Sequence, residues 1–315
     1  MKMQHHSSFT HSLIHSLLQM KHLLTLFLGL GVLSAKAQKS FDTEAHRGGR
    51  GLMPENTIPA MLNGVRTGVR TLELDTHITA DGLVVVSHDG FMNSLIMQKP
   101  DGSDIPKTDE KQYILYKMNY ADIRRFIEGV KDYPAFPQQQ KIKTYKPLLA
   151  DLIDSVENYV KAHHLKPVHY NIETKSSPAG DNVENPVPAV FVKLLMDVIN
   201  QKHVTDRVII QSFDPRTLQI LHQQMPEVKT AYLIQTGDYE GSIKTLGFTP
   251  TILSPEQKLV TADMVTAAHQ NHVQVIPWTV NDEAKMKALI DLKVDGLISD
   301  YPDRLVKLVG SYQEK

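Results

Sequence analysis

The 315-residue chain contains no cysteine. A disulfide framework, a thiol nucleophile and a zinc–thiolate centre are therefore all excluded. It also has no excess of either charge. Thirty-four Lys and Arg face 35 Asp and Glu, for a formal net charge of -1. That balance gives no basic face for a nucleic-acid partner. Long hydrophobic runs are missing as well. The longest, Leu23 to Leu33, has about 11 residues, against the roughly 20 that span a bilayer as a helix.

That short run has another reading. It follows Lys21 and precedes Ala35-Lys36-Ala37, a small-x-small site. A basic start, a short apolar stretch and such a site form a secretory signal peptide, with cleavage expected near Ala37. The mature protein is then expected to be exported, to the periplasm or the medium. No cysteine follows the run, which argues against a lipoprotein. Residues 1–37 are read as extension plus signal peptide, and 38–315 as one domain.

From there the chain alternates short β-rich runs with longer helical patterns. The runs are TEAHRG, RTLELDT, LVVVSHD, VHYNIET, RVIIQSF, KTAYLIQ, PTILSP, VQVIPWTV and DGLISD. Several are apolar without strict alternation, as in parallel strands buried on both faces. Helical patterns such as TIPAMLNGVRTG, with Thr57 as N-cap, and PAVFVKLLMDVINQKH lie between them. This is the rhythm of βαβ units. Asp81-Gly82 marks a tight hairpin that joins two of the nine runs. Eight barrel strands remain, predicting a (β/α)8 TIM barrel with a hairpin extension; a doubly wound sheet is the competing arrangement. An insert rich in Pro, Gly, Gln and charge follows His88-Asp89, over about 91–146. Inserts of this length are often functional lids. It is expected to be a mobile flap over the catalytic mouth, removable without unfolding the barrel.

In such a barrel the chemistry lies at the C-terminal ends of the strands. Glu73 and Asp75 are two apart on a strand and face the same side. Glu173 ends another strand. Carboxylates crowded into one interior resist ionisation unless a hard cation joins them, and Ca²⁺ or Mg²⁺ takes oxygen ligands. Ion pairing to Arg47 or Lys175 is the alternative use of these carboxylates. His46 and His88 each follow a β run and suit acid/base work near neutral pH. Arg47, set among glycines in EAHRGGRG, offers a planar fork to an anion, and the glycines are read as letting the backbone approach that ligand.

The segments AHRGGRGLMPENT, ELDTHITADGLVVVSHD, NIETK, QSFDP, WTVN and DGLISDYPD occur in that order, from about Ala45 to Asp303. Together they closely resemble the glycerophosphodiester phosphodiesterase family. The resemblance implies hydrolysis of glycerophosphodiesters to an alcohol and glycerol 3-phosphate, with one divalent cation, Ca²⁺ or Mg²⁺. It implies Glu73, Asp75 and Glu173 as metal ligands and His46 and His88 as the acid/base pair. It further implies Arg47 and Lys175 on the phosphate, Glu55 near the metal, and Phe213 and Trp278 on the substrate side. Thr174 stands where the family more usually has an apolar residue, and Gln211 where it has a small one. Two other readings share these residues: a lysophospholipase D-like or phosphoinositide-type enzyme acting on lipid head groups, and an exported binding protein without activity. The second would be expected to lack one of the five central groups, and all five are present.

Overall fold

The structure is a computed structural model and describes residues 41–313. The expected signal peptide and its expected cleavage site lie outside the described residues. Eight parallel strands form the barrel. In chain order they are β1 (Asp42–Ala45), β2 (Thr71–Ile78), β6 (His169–Thr174), β7 (Val208–Ser212), β8 (Lys229–Ile234), β9 (Ile252–Pro255), β10 (Gln274–Val275) and β11 (Gly296–Ser299). Hydrogen-bonded neighbours run β10-β9-β8-β7-β6-β2-β1-β11. The ring closes between its two ends: Asp295 N–H donates to Val275 O at 2.9 Å and Ile298 N–H to Pro277 O at 3.1 Å. The doubly wound sheet is thereby excluded.

All nine runs form strands. β3 (Val84–Val86) turns back on β2, pairing Thr76 with Val86 and Ile78 with Val84. Gly82 takes φ +78 in the turn, a left-handed conformation that glycine adopts at little cost. Helices α1 (Ile58–Thr67), α3 (Leu149–Ala162), α4 (Pro188–Gln201), α5 (Pro215–Gln224), α7 (Ala262–Gln270) and α8 (Glu283–Asp291) match the helical patterns. Thr57 caps α1 by accepting the Ala60 N–H. The sequence patterns had not singled out α6 (Tyr239–Leu246) or α9 (Pro302–Gln313).

Period-two alternation sorts the strand residues. Leu72, Leu74, Tyr170, Ile172, Val208 and Ile210 pack outward against the helices in the main core. The intervening residues face the barrel axis, and there the interior is divided. On the side of β7 to β11 it is plugged by Ile209, Ala231, Ile252, Ile276 and Ile298. On the side of β1, β2, β6 and β7 the buried residues are Glu44, Glu73, Asp75, Asn171, Glu173 and Gln211. A barrel interior this polar on one side is costly unless its groups are paired.

The insert is not the flap that composition suggested. Its short strands β4 (Met97–Gln98) and β5 (Ile127–Glu128) pair antiparallel. Met92, Met97, Leu115, Ile123 and Phe126 form a second core with Val85 of the hairpin. Val84 and Val86 meanwhile join the main core, so β3 is shared between the two. Apolar residues scattered between prolines and charges show no period, which is why this core was illegible. Truncating fully buried Ile123 to Ala is expected to destabilise the protein by about 2–5 kcal/mol, read as a lowered urea midpoint. A midpoint equal to wild type would restore the flap reading.

Candidate active site

His46 opens a single helical turn directly after β1, and His88 follows β3. Both line one cavity of about 240 Å³ at the C-terminal mouth of the barrel, together with Arg47, Lys175, Phe213 and Trp278. Glu73, Asp75 and Glu173 line the same cavity. Each of the three offers an oxygen within 4.8 Å of the others. Every one of these predicted residues therefore meets in one place. Glu55 does not. It lies behind the cavity wall, buried, where Arg47 Nη1 donates to its Oε1 at 2.7 Å. Expected near the metal, Glu55 is not among the residues lining the cavity and instead supports Arg47.

The triad is held by specific donors. Glu73 Oε2 accepts the Arg47 N–H at 2.7 Å and its Oε1 accepts Gln211 Nε2 at 2.7 Å. Asn56 clasps Asp75 from both sides: its Nδ2 donates to Oδ2 at 2.8 Å, and its Oδ1 accepts the Asp75 N–H at 3.2 Å. Lys175 Nζ stands 3.1 Å from Glu173 and 3.6 Å from Asp75. Burial, with Asp75 beside it and Glu173 near, pushes the Glu73 carboxyl well above the usual range. Burial and Asp75, opposed by Lys175, push Glu173 up to about 7. For Asp75 burial works upward too, but Lys175, His88 and Arg47 outweigh it and hold that carboxyl well below its ordinary value. Two of three adjacent carboxyls thus resist ionisation. Such a donor set fits a hard divalent cation, whose charge would draw all three into the ionised form.

The loop carrying Arg47 is itself unusual. Arg47 has φ 51, a left-handed conformation that a non-glycine residue holds only under constraint and that clusters at functional sites. The glycines beside it are required by packing. A Cβ on Gly48 would lie 2.8 Å from the Ala60 carbonyl carbon of α1, and one on Gly51 2.5 Å from the Tyr301 ring. The loop is pressed between two helix starts, and this fixes where His46 and Arg47 point.

Asp300, at the end of β11, is a strand-end residue to which the sequence assigns no role, and it joins the site. Its Oδ1 sits 2.6 Å from His46 Nδ1 and 2.7 Å from Arg50 Nε. Asn281 Nδ2 donates to its Oδ2 at 2.7 Å. Burial pushes His46 down to about 4, against the pull of Asp300. Burial thus favours the neutral imidazole, and an Nδ1–H given to Asp300 leaves Nε2 as acceptor. On the other side, His88 Nδ1 lies 3.1 Å from Asp89 Oδ1, and Asn93 Nδ2 donates to Asp89 Oδ2 at 2.7 Å. His77 was missed as well; its Nε2 lies 3.1 Å from the His88 carbonyl oxygen. The signal for Asp300 was its place at a strand end, in SDYPD.

None of the residues lining this cavity comes from 91–146. The insert supports the site from behind, through Asn93 on Asp89 and through Phe136, whose ring lies 4.8 Å from the Arg50 guanidinium carbon. Across the mouth, Phe213 and Trp278 meet edge to face with centroids 5.3 Å apart. Trp278 Nε1 donates to Ser254 O at 2.8 Å, which pins the indole.

Carboxylates suited to a cation, a guanidinium and an ammonium suited to a phosphate, and two separately oriented imidazoles define a barrel hydrolase of phosphoric esters. The model of the glycerophosphoryl diester phosphodiesterase family matches residues 46–304, and the chain belongs to that family. It is a phosphoric diester hydrolase. A Bacillus altitudinis glycerophosphodiester phosphodiesterase is 28% identical over 269 residues, covering 84% of this chain and 96% of the relative. A solved Silicibacter pomeroyi structure, proposed to be a glycerophosphoryl diester phosphodiesterase, superposes with TM-score 0.78. It is 27% identical, over 88% of this chain and 95% of that one. An Oleispira antarctica phosphodiesterase, solved with its product sn-glycerol-3-phosphate, shares the fold at TM-score 0.67 and 22% identity, over 85% and 96% of the two chains.

Proposed function

We propose that the protein hydrolyses glycerophosphodiesters to an alcohol and glycerol 3-phosphate, with Ca²⁺ or Mg²⁺ held by Glu73, Asp75 and Glu173. The observation that carries this reading is the buried triad, within 4.8 Å oxygen to oxygen, in one cavity with both histidines, Arg47 and Lys175. A divalent cation bound there supplies positive charge to the phosphodiester and to the negative charge that grows on it. Arg47 and Lys175 add fixed donors around the same oxygens. Neutral His46, tethered through Nδ1, takes the proton of the attacking hydroxyl on Nε2. His88 gives a proton to the departing alkoxide. The attacking hydroxyl is either the neighbouring glycerol hydroxyl, by way of a cyclic phosphate, or water.

Protein stripped of metal is expected to be inactive on glycerophosphocholine and restored by Ca²⁺ or Mg²⁺. Full activity after exhaustive chelation would sink the metal role. Faster turnover of lysophosphatidylcholine than of glycerophosphocholine would move the substrate class to lipid head groups.

Cation uptake has a pH signature. Glu173 and Glu73 must lose protons before they can ligate. Apparent affinity is therefore expected to rise between about pH 6 and 8, through the Glu173 value near 7. Metal-free protein should show the opposite trend in stability. Glu173 holds its proton more tightly folded than at its ordinary 4.5, so its contribution is lost as pH climbs toward 7. Calorimetric titration that finds the same affinity throughout would rule this out.

We further propose export, on the strength of the Met20–Gln38 pattern. The mature chain is expected to begin at about Gln38. Mass spectrometry of exported protein that still carries Met20–Gln38 would contradict this.

A further inference from the structure

Glu44 is fully buried on β1 and has no part in the proposed reaction. Its Oε2 accepts Asn171 Nδ2 at 2.8 Å. The same Nδ2 donates to Gln211 Oε1 at 3.2 Å, and Gln211 Nε2 donates to Glu73 Oε1 at 2.7 Å. A continuous line of side chains thus runs from the barrel interior to the acidic triad. No member is more than 2% exposed. Two atoms of the line lack a partner, Glu44 Oε1 and Asn171 Oδ1. Both are acceptors, and a buried acceptor without a donor costs about 1–3 kcal/mol. A proton on the Glu44 carboxyl would supply the missing donor, on the same side-chain pair that already shares the Asn171 Nδ2–Glu44 Oε2 hydrogen bond. Burial, with Asp42 nearby, pushes the Glu44 carboxyl well above the usual range, which agrees with such a proton. Asp42 is itself engaged, accepting from Thr71 Oγ1 at 2.7 Å.

An amide keeps its shape when its oxygen and nitrogen exchange places, so only its partners decide which end points where. We propose that Glu44, by accepting the Asn171 Nδ2–H, sets the amides of Asn171 and Gln211 so that an N–H, not a carbonyl, faces Glu73. Reversal of Gln211 would set its oxygen against that carboxylate and turn Glu73 from the cation. Glu44 is a positioning residue, acting through two amides on a metal ligand. The inference rests on the reading that Glu73 holds a cation.

The test is calorimetric titration of metal-free protein with Ca²⁺ and with Mg²⁺, for wild type, Glu44→Gln, Glu44→Met and Glu73→Gln. Glutamine offers Asn171 the same acceptor and donor as the acid, so Glu44→Gln is expected to bind like wild type. Glu44→Met removes both and should weaken binding about 10–100-fold, as loss of an outer partner of a metal ligand does. Should Glu44→Met fail to fold, Asn171→Leu interrupts the same line and is expected to show the same loss. Two results overturn the relay while leaving the metal site intact. One is wild-type affinity in Glu44→Met, or in Asn171→Leu where that stands in for it, with binding lost in Glu73→Gln. The other is equal loss in Glu44→Gln and Glu44→Met. Wild-type protein that binds neither cation overturns the metal reading, and the relay with it.

Discussion

Glu73→Gln is expected to lower kcat/KM by about 10³-fold, equivalent to about 4 kcal/mol of transition-state stabilisation. The change keeps the shape of the side chain and removes its charge. Glu73 is buried and accepts one N–H on each carboxylate oxygen, from Arg47 and from Gln211. Glutamine would turn an NH₂ toward one of those donors and lose one ligand charge out of three. Cation affinity should fall in parallel, and added Ca²⁺ or Mg²⁺ should recover only part of the rate. Steady-state kinetics on glycerophosphocholine across a cation series separates the two effects. Wild-type kinetics at every cation level would mean that Glu73 serves the fold alone.

His46→Ala and His88→Ala are each expected to reduce turnover by roughly 10²–10⁴-fold, the usual worth of a positioned acid or base. Their signatures should differ. Loss of His88 should matter much less for a nitrophenyl ester, because nitrophenolate departs without needing a proton. Loss of His46 should matter for both substrates, since each needs the attacking hydroxyl deprotonated. The assignment follows from the surroundings. His46 is pushed down to about 4 and tied to Asp300 at 2.6 Å, which is what supports its proposal as the base. Equal losses for His88→Ala on both substrates would exclude it as the acid.

Much of this protein could be read from its residues in order. Alternation within LELDT placed Glu73 and Asp75 on one face, because strand geometry has a period of two whatever surrounds it. β-rich runs separated by helical patterns specified parallel strands, since these need crossover connections, and a count of eight favoured a barrel over a doubly wound sheet until the ring closure decided it. His46, Arg47, His88, Glu173 and Lys175 were legible because they end strands, and strand ends converge in this fold. What stayed hidden depends on partners distant in sequence. Asp300 was a strand end without a role until the barrel closed and set it against His46, 254 positions earlier. The glycines of the HRGGRG loop looked like room for a ligand, and only helices α1 and α9 show that packing requires them too. The core of the insert has no period because its residues come from turns and short strands, so only their joint burial against Val85 reveals it. The line from Glu44 through Asn171 and Gln211 to Glu73 draws on four strands. No pattern within one strand could announce it, because hydrogen-bond partners across a barrel are chosen by register, and register exists only once the sheet has closed.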